Sequence, residues 1–295
     1  ACSPEDNGGP PVVYGDPQRG DSRGGDLAGD HPDTCGPRPD TCLVHSWIRT
    51  VTGAVVDESG APLVGAMAQL CVRKAVSEAL VCVSPVATDA SGSFVVAVPT
   101  TAQCMQHAVM RVLMPAADRA VAYCPVLLPT SVCSLVLAEP FILHATTPAS
   151  TLPPPGDGTQ ELTVIFDDGL EIDVTPNRIP FIDYDSLAAR RLSPDAAGLC
   201  FLEDAGSLEA VYAFSPDGEA TGTPFALRIP NATSLPAHTA VDLYVLGGLS
   251  YTLGNGSHVE EGDWVQYGTA TVSSDGNTIE GDGIPFLTWL GYAPH

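Results

Sequence analysis

Lysine is all but missing from this chain of 295 residues: Lys74 is the only one, and Lys and Arg together number 12 against 35 Asp and Glu. The resulting net charge of -23 excludes phosphate backbones and anionic headgroups as direct partners, because such a surface repels both. Long apolar runs are missing too. The longest, "CSLVLAEPFIL" (133–143), is broken by Glu139 and Pro140 and falls short of the ~18–20 residues a membrane helix needs. No H-E-x-x-H occurs, which removes the common zinc-protease signature, and the one G-x-S-x-G string, Gly20-Asp21-Ser22-Arg23-Gly24, falls in a Gly- and Asp-rich tract without the apolar strand and helix that a nucleophile elbow joins. No C-x-x-C pair is present and the histidines do not cluster with the cysteines, which argues against a structural zinc site.

What is abundant is Gly (29) and Pro (27), set between short Val-rich runs. Stretches with helical periodicity are scarce. This pattern predicts an all-β protein: two tandem β-sandwich domains after a disordered N-terminal tether. Residues 1–45 are mostly Gly, Asp and Pro and cannot bury enough apolar surface to fold. The first domain is expected over 46–143, with strands on either side of acidic turns at Asp57–Gly60 and Asp89–Gly92 and further strands at 107–114, 119–127 and 132–139. "TTPASTLPPPGDG" (146–158) reads as a Pro-rich linker, 144–160. A second β-rich domain then fills 161–295, with a short helix at 185–192 and strands that include 199–203.

Nine cysteines spread through such a chain imply disulfides formed in an oxidising compartment. Setting Cys2 aside leaves Cys35, Cys42, Cys71, Cys82, Cys104, Cys124, Cys133 and Cys200, enough for four bridges. Cys35–Cys42 would close a short loop, and Cys71–Cys82 and Cys104–Cys124 would bridge neighbouring strands. Cys133–Cys200, by elimination, would tie the two domains together.

Two resemblances add to this. Ala1-Cys2-Ser3 resembles the end of a bacterial lipobox, which implies a lipid on Cys2 and a place on the outer membrane or cell surface of a bacterium. The alternative is that Cys2 is a ninth disulfide cysteine. "GAVVDESGAPLVGAMAQL" (53–70) followed by "TDASGSFVVAVP" (88–99) resembles the carboxypeptidase regulatory-like family. That resemblance implies a transthyretin-type sandwich serving as a structural or interaction module, without peptidase activity of its own.

Three patterns could carry chemistry. In "FDDGLEIDV" (166–174), Asp167, Glu171 and Asp173 share parity and would line one face of an extended chain, a set of hard oxygen ligands suited to calcium. "HVEE" (258–261) places His258 and Glu261 at the H-x-x-E spacing of zinc carboxypeptidases. Trp264, Tyr267, Trp289 and Tyr292 could stack on sugar rings if they face solvent. The expected function is therefore a non-catalytic extracytoplasmic interaction or structural lipoprotein. Its partner would be a protein or glycan at the cell surface, it would meet the membrane only through the lipid, and it would need no cofactor unless Asp167, Glu171 and Asp173 hold a structural calcium rather than form a solvated acidic strand face. The alternatives are a carbohydrate-binding surface protein, or an accessory subunit or metal-dependent hydrolase built on His258 and Glu261.

Overall fold

Two β-structured units follow one another along the chain. The computed structural model describes residue 42 and residues 46–74, 79–115, 118–129, 132–179, 182–202, 208–219, 221–253 and 255–295. Cys2 and Cys35 lie outside the described residues.

The first unit contains β1 (Ser46–Trp47), β2 (Thr50–Val56), β3 (Met67–Lys74), β4 (Leu80–Cys82) and β5 (Val86–Ala87). It continues with β6 (Ser93–Ala97), β7 (Cys104–Leu113), β8 (Ala122–Pro125), β9 (Ser134–Val136) and β10 (Phe141–Ile142). One sheet runs β1-β7-β3-β4, with β5 also on β3 and β8 on β7. In the other, β2 has β6 antiparallel on one side and β9 then β10 parallel on the other. Strand β2 shows why these segments are extended. "TVTGAVV" alternates strictly, sending Val51 and Val55 into the space between the sheets, where they meet Leu70, Val72, Phe94 and Met110.

The two acidic turns share one construction. Asp57 Oδ1 accepts from the Ser59 N–H and hydroxyl and from the Ala61 N–H (2.8, 2.6 and 3.0 Å). Asp89 does the same with Ser91 and Ser93 (2.8, 2.7 and 3.0 Å). The serine hydroxyls, helped by backbone N–H groups, hold both carboxyls below the usual aspartate range.

The second unit is one antiparallel sheet of ten strands. These are β11 (Thr147–Pro148), β12 (Leu162–Ile165), β13 (Glu171–Val174), β14 (Ala188–Leu192) and β15 (Ala210–Glu219). After them come β16 (Ala226–Pro230), β17 (Ala240–Leu246), β18 (Trp264–Val272), β19 (Thr278–Gly281) and β20 (Phe286–Pro294). The order is β11-β14-β15-β20-β17-β18-β19-β16-β13-β12. The chain just after β11 turns to the far edge, where Thr151 and Ile165 exchange two backbone hydrogen bonds of 3.0 Å. The sheet is thereby rolled into a nearly continuous wall, which removes the exposed edges an open sheet would present. Its inside is packed solid with Phe166, Ile172, Tyr212, Phe214, Leu243, Phe286 and their neighbours.

The all-β class is as read from the sequence. Several details differ. Residues 188–192 of the expected helix form β14, because Leu187 and Ala189 face the barrel interior while β11 and β15 pair on either side. Residues 199–202 of the expected 199–203 strand form no strand. The Pro-rich stretch is held in place: β11 pairs with β14, and the Tyr184 hydroxyl donates to the Pro153 carbonyl at 2.8 Å.

The disulfides are re-partnered as well. Cys71–Cys82 joins two residues directly opposite in the β3–β4 ladder. Cys42 bonds Cys104 rather than Cys35, Cys124 bonds Cys200 rather than Cys104, and Cys133 is therefore not joined to Cys200, although it too is disulfide-bonded. Spacing suggested short loops, whereas tertiary packing sets Cys42 beside β7 and the 199–202 turn against β8. These bridges mark a chain that folds in an oxidising, extracytoplasmic setting.

Candidate functional site

Charged and ring-bearing side chains gather where the two units meet. The outer face of the first sheet carries Cys71, Val109 and Tyr123, and the barrel presents Leu192, Val211, Ala213, Leu246 and Trp289 to them. Strands β3 and β7 are thus covered on both faces, as is most of β20. Cys124–Cys200 crosses this junction covalently. Trp289, 2% exposed, donates its indole N–H to the Val121 carbonyl at 2.8 Å and meets the His144 ring edge-on.

Close approach there depends on glycine at two points. A Cβ on Gly262 would lie 3.0 Å from Val109, and one on Gly198 would lie 2.6 Å from Ile142. Both have positive φ (+82° and +85°), so a side chain would be disfavoured by backbone as well as by space.

Around this apolar patch sit three polar groups, each built from both units. In the first, Arg73 on β3 reaches the loop before β18. Its Nη2 donates to both oxygens of Glu261 at 3.1 Å, and the guanidinium also contacts His258 and Glu260. Glu261 has a fully buried side chain and also accepts from the Ser250 N–H at 3.1 Å, while His107 Nε2 bonds the Glu261 carbonyl at 3.1 Å. In the second, the Tyr123 hydroxyl donates to Asp217 and accepts from Arg111 Nε at 3.0 Å, and Arg111 Nη2 pairs with Asp217 at 3.3 Å. Burial, reinforced by the Asp217 charge, raises the Tyr123 phenol well above its usual range, so it stays a donor.

In the third, Glu58 accepts from Arg190 Nη1 (2.7 and 2.9 Å) and faces His144 Nδ1 at 3.1 Å; His144 Nε2 donates to the Ala197 carbonyl at 3.0 Å. Burial works to raise the Glu58 carboxyl, but the hydrogen bonds from Arg190 and His144 outweigh it and leave it below the usual range. This third group borders a cleft of about 340 Å³, with Ile142, Leu192, Ala196 and Ala197 as its apolar lining.

The residues singled out in the sequence fare unequally. His258 and Glu261 do come together, but around a guanidinium. Among the described residues, His107, Glu260 and Glu261 are the group of potential metal ligands whose donor atoms converge within 4.8 Å. Their charge is answered by Arg73.

Asp167, Glu171 and Asp173 are not gathered into such a group. Glu171 and Asp173 share a face of β13 as parity requires, yet Glu171 pairs with Arg228 and Asp173 accepts from the Thr163 hydroxyl at 2.6 Å. Asp167 sits apart in the turn between β12 and β13.

Trp289 and Tyr292 are closed to a sugar, being 2% and 0% exposed, one in the junction and the other inside the barrel. Tyr267 is half-buried with its hydroxyl enclosed, and burial pushes that phenol up. Trp264 is half-buried, stacked on Tyr244 with ring centres 6.2 Å apart.

Sequence reasoning passed over Arg73, His107, Arg111, Tyr123, Asp217, Glu58, His144 and Arg190. One signal was present. Arg111 interrupts the apolar run "AVMRVL" and Arg73 follows directly on "LCV", places where a charge drawn into the packing needs a partner.

No family model matches this chain, and no curated protein matches it. Among solved structures, the Bacillus anthracis TIE protein is similar at 10% identity and a TM-score of 0.22, over 82% of this chain and 49% of that one. The chain thus spans about half the length of that structure, and a likeness this distant carries no argument about function.

Proposed function

We propose that this chain is a non-catalytic interaction or structural protein of a bacterial cell surface, displayed from a lipid on Cys2 and meeting a protein or glycan partner. Its first unit serves in this reading as a carboxypeptidase-regulatory-like module. One observation carries the non-catalytic reading: the side chains most capable of chemistry are engaged in joining the two units. His107, His144, His258, Glu261, Arg73, Arg111, Tyr123 and Asp217 all bond across the junction or to residues that do. A general base or metal ligand must be free to meet substrate, whereas these groups satisfy one another. Joining two units in this way produces a rigid spacer, which suits presentation to a partner.

The hydrolase alternative gives the test. Purified protein should show no turnover of peptide or ester substrates with added zinc, and chelator should leave its melting temperature unchanged. Zinc-dependent turnover lost in His258→Ala would contradict the proposal.

A further inference from the structure

The cleft beside Glu58 is of ligand-binding size, lies between two units, and combines an apolar lining with a few convergent polar groups, as small-molecule sites do. Its strongest polar element is Arg190. That guanidinium uses Nη1 alone, for both Glu58 oxygens and for the Ala145 carbonyl at 3.2 Å. Among the described residues its Nε and Nη2 have no hydrogen bond, and the side chain is 39% exposed. The Nε–Nη2 edge is the face of arginine that receives a carboxylate through two parallel hydrogen bonds. Arg191 borders the cleft as well, but alternation along β14 turns its side chain the other way, towards Tyr212, so Arg190 is the guanidinium the cleft offers.

Beyond the polar edge lie Ile142, Leu192 and Ala196, a surface for hydrocarbon. The alternatives are narrower. His144 has both ring nitrogens engaged, and Glu58 is already held by Arg190 and His144, so a purely cationic ligand would have to break existing bonds.

We infer that this cleft binds a small organic carboxylate, its anionic head on the open edge of Arg190 and its compact apolar body against Ile142 and Leu192. This goes beyond the display function and stands without the lipid anchor. It also leaves the junction intact, since the ligand uses the guanidinium nitrogens that the junction does not.

Benzoate is a suitable probe, with benzyl alcohol as its neutral counterpart. Titration calorimetry on the full chain should show benzoate binding well below about 10 mM, and benzyl alcohol weaker by tenfold or more, the usual worth of a charge-assisted pair. Trp289, whose ring centre is 5.8 Å from that of His144, supplies a second readout through its fluorescence. Arg190→Gln should weaken benzoate at least tenfold. Because Arg190 also holds Glu58, Ala196→Phe provides an independent variant that fills the cleft without touching a charge, and it should abolish binding while the melting temperature is retained. Absence of binding at 10 mM, equal affinity for benzyl alcohol, or unchanged affinity in Ala196→Phe would each overturn the inference. None of these results would bear on the zinc-turnover test of the display function.

Discussion

Trp289→Ala is expected to destabilise the protein by about 3–5 kcal/mol, the range for removing a fully buried large aromatic side chain. The indole is 2% exposed and lies between the units, against Phe201 at 5.1 Å between ring centres and edge-on to His144. Truncation opens a void the backbone cannot refill, because β20 is hydrogen-bonded to β15 on one side and β17 on the other. It also leaves the Val121 carbonyl without its donor. In thermal denaturation the loss should appear as a melting temperature lower by roughly 10 °C. A change of under about 1 kcal/mol would mean the indole is not packed as described. Trp289→Phe should recover most of the packing but not the bond to Val121.

Glu261→Ala should cost about 3 kcal/mol, for an electrostatic reason. Arg73 is 14% exposed in its side chain and meets a carboxylate that is fully buried. Deleting that carboxylate strands a charge in a site with little water, the situation in which breaking a buried pair costs most. Glu260 also contacts Arg73 and softens the loss, which is why the figure is placed at the lower end of the usual range. The decisive comparison is the double variant Arg73→Met/Glu261→Leu. Removing both charges together should restore most of the stability lost in Glu261→Ala, as measured by urea denaturation. If the double variant is as unstable as the sum of the two single ones, the pair is not the source of the effect.

Much of the fold was legible because it is written in local periodicity. Strict alternation in "TVTGAVV" and the twin D-x-S-G turns specify strands and corners that need no distant contact to explain them. The failures share one cause, which is packing between distant segments. "DSLAARRL" (185–192) has helix-favouring residues, yet tertiary pairing with β11 and β15 makes its second half a strand. The disulfide pairs followed nearness in sequence, while Cys124 and Cys200 are brought together over a separation of 76 residues by the junction itself. The aromatic-rich final strand misled in the same way. Trp289 and Tyr292 were expected to face solvent, but Tyr292 points into the barrel core and the first unit covers the outer face and Trp289 with it. What the sequence did show of the junction was indirect. Arg111, set between apolar residues of β7, has no local reason to be there and is explained by the Asp217 and Tyr123 that pack against it.

The account rests on the two units unfolding as one body, held by the apolar junction, Cys124–Cys200 and three cross-unit polar groups. Differential scanning calorimetry of the intact, oxidised chain tests this most directly. A single transition is predicted, with the calorimetric enthalpy equal to the van't Hoff enthalpy. Two resolved transitions, with Trp289→Ala moving only one of them, would contradict it.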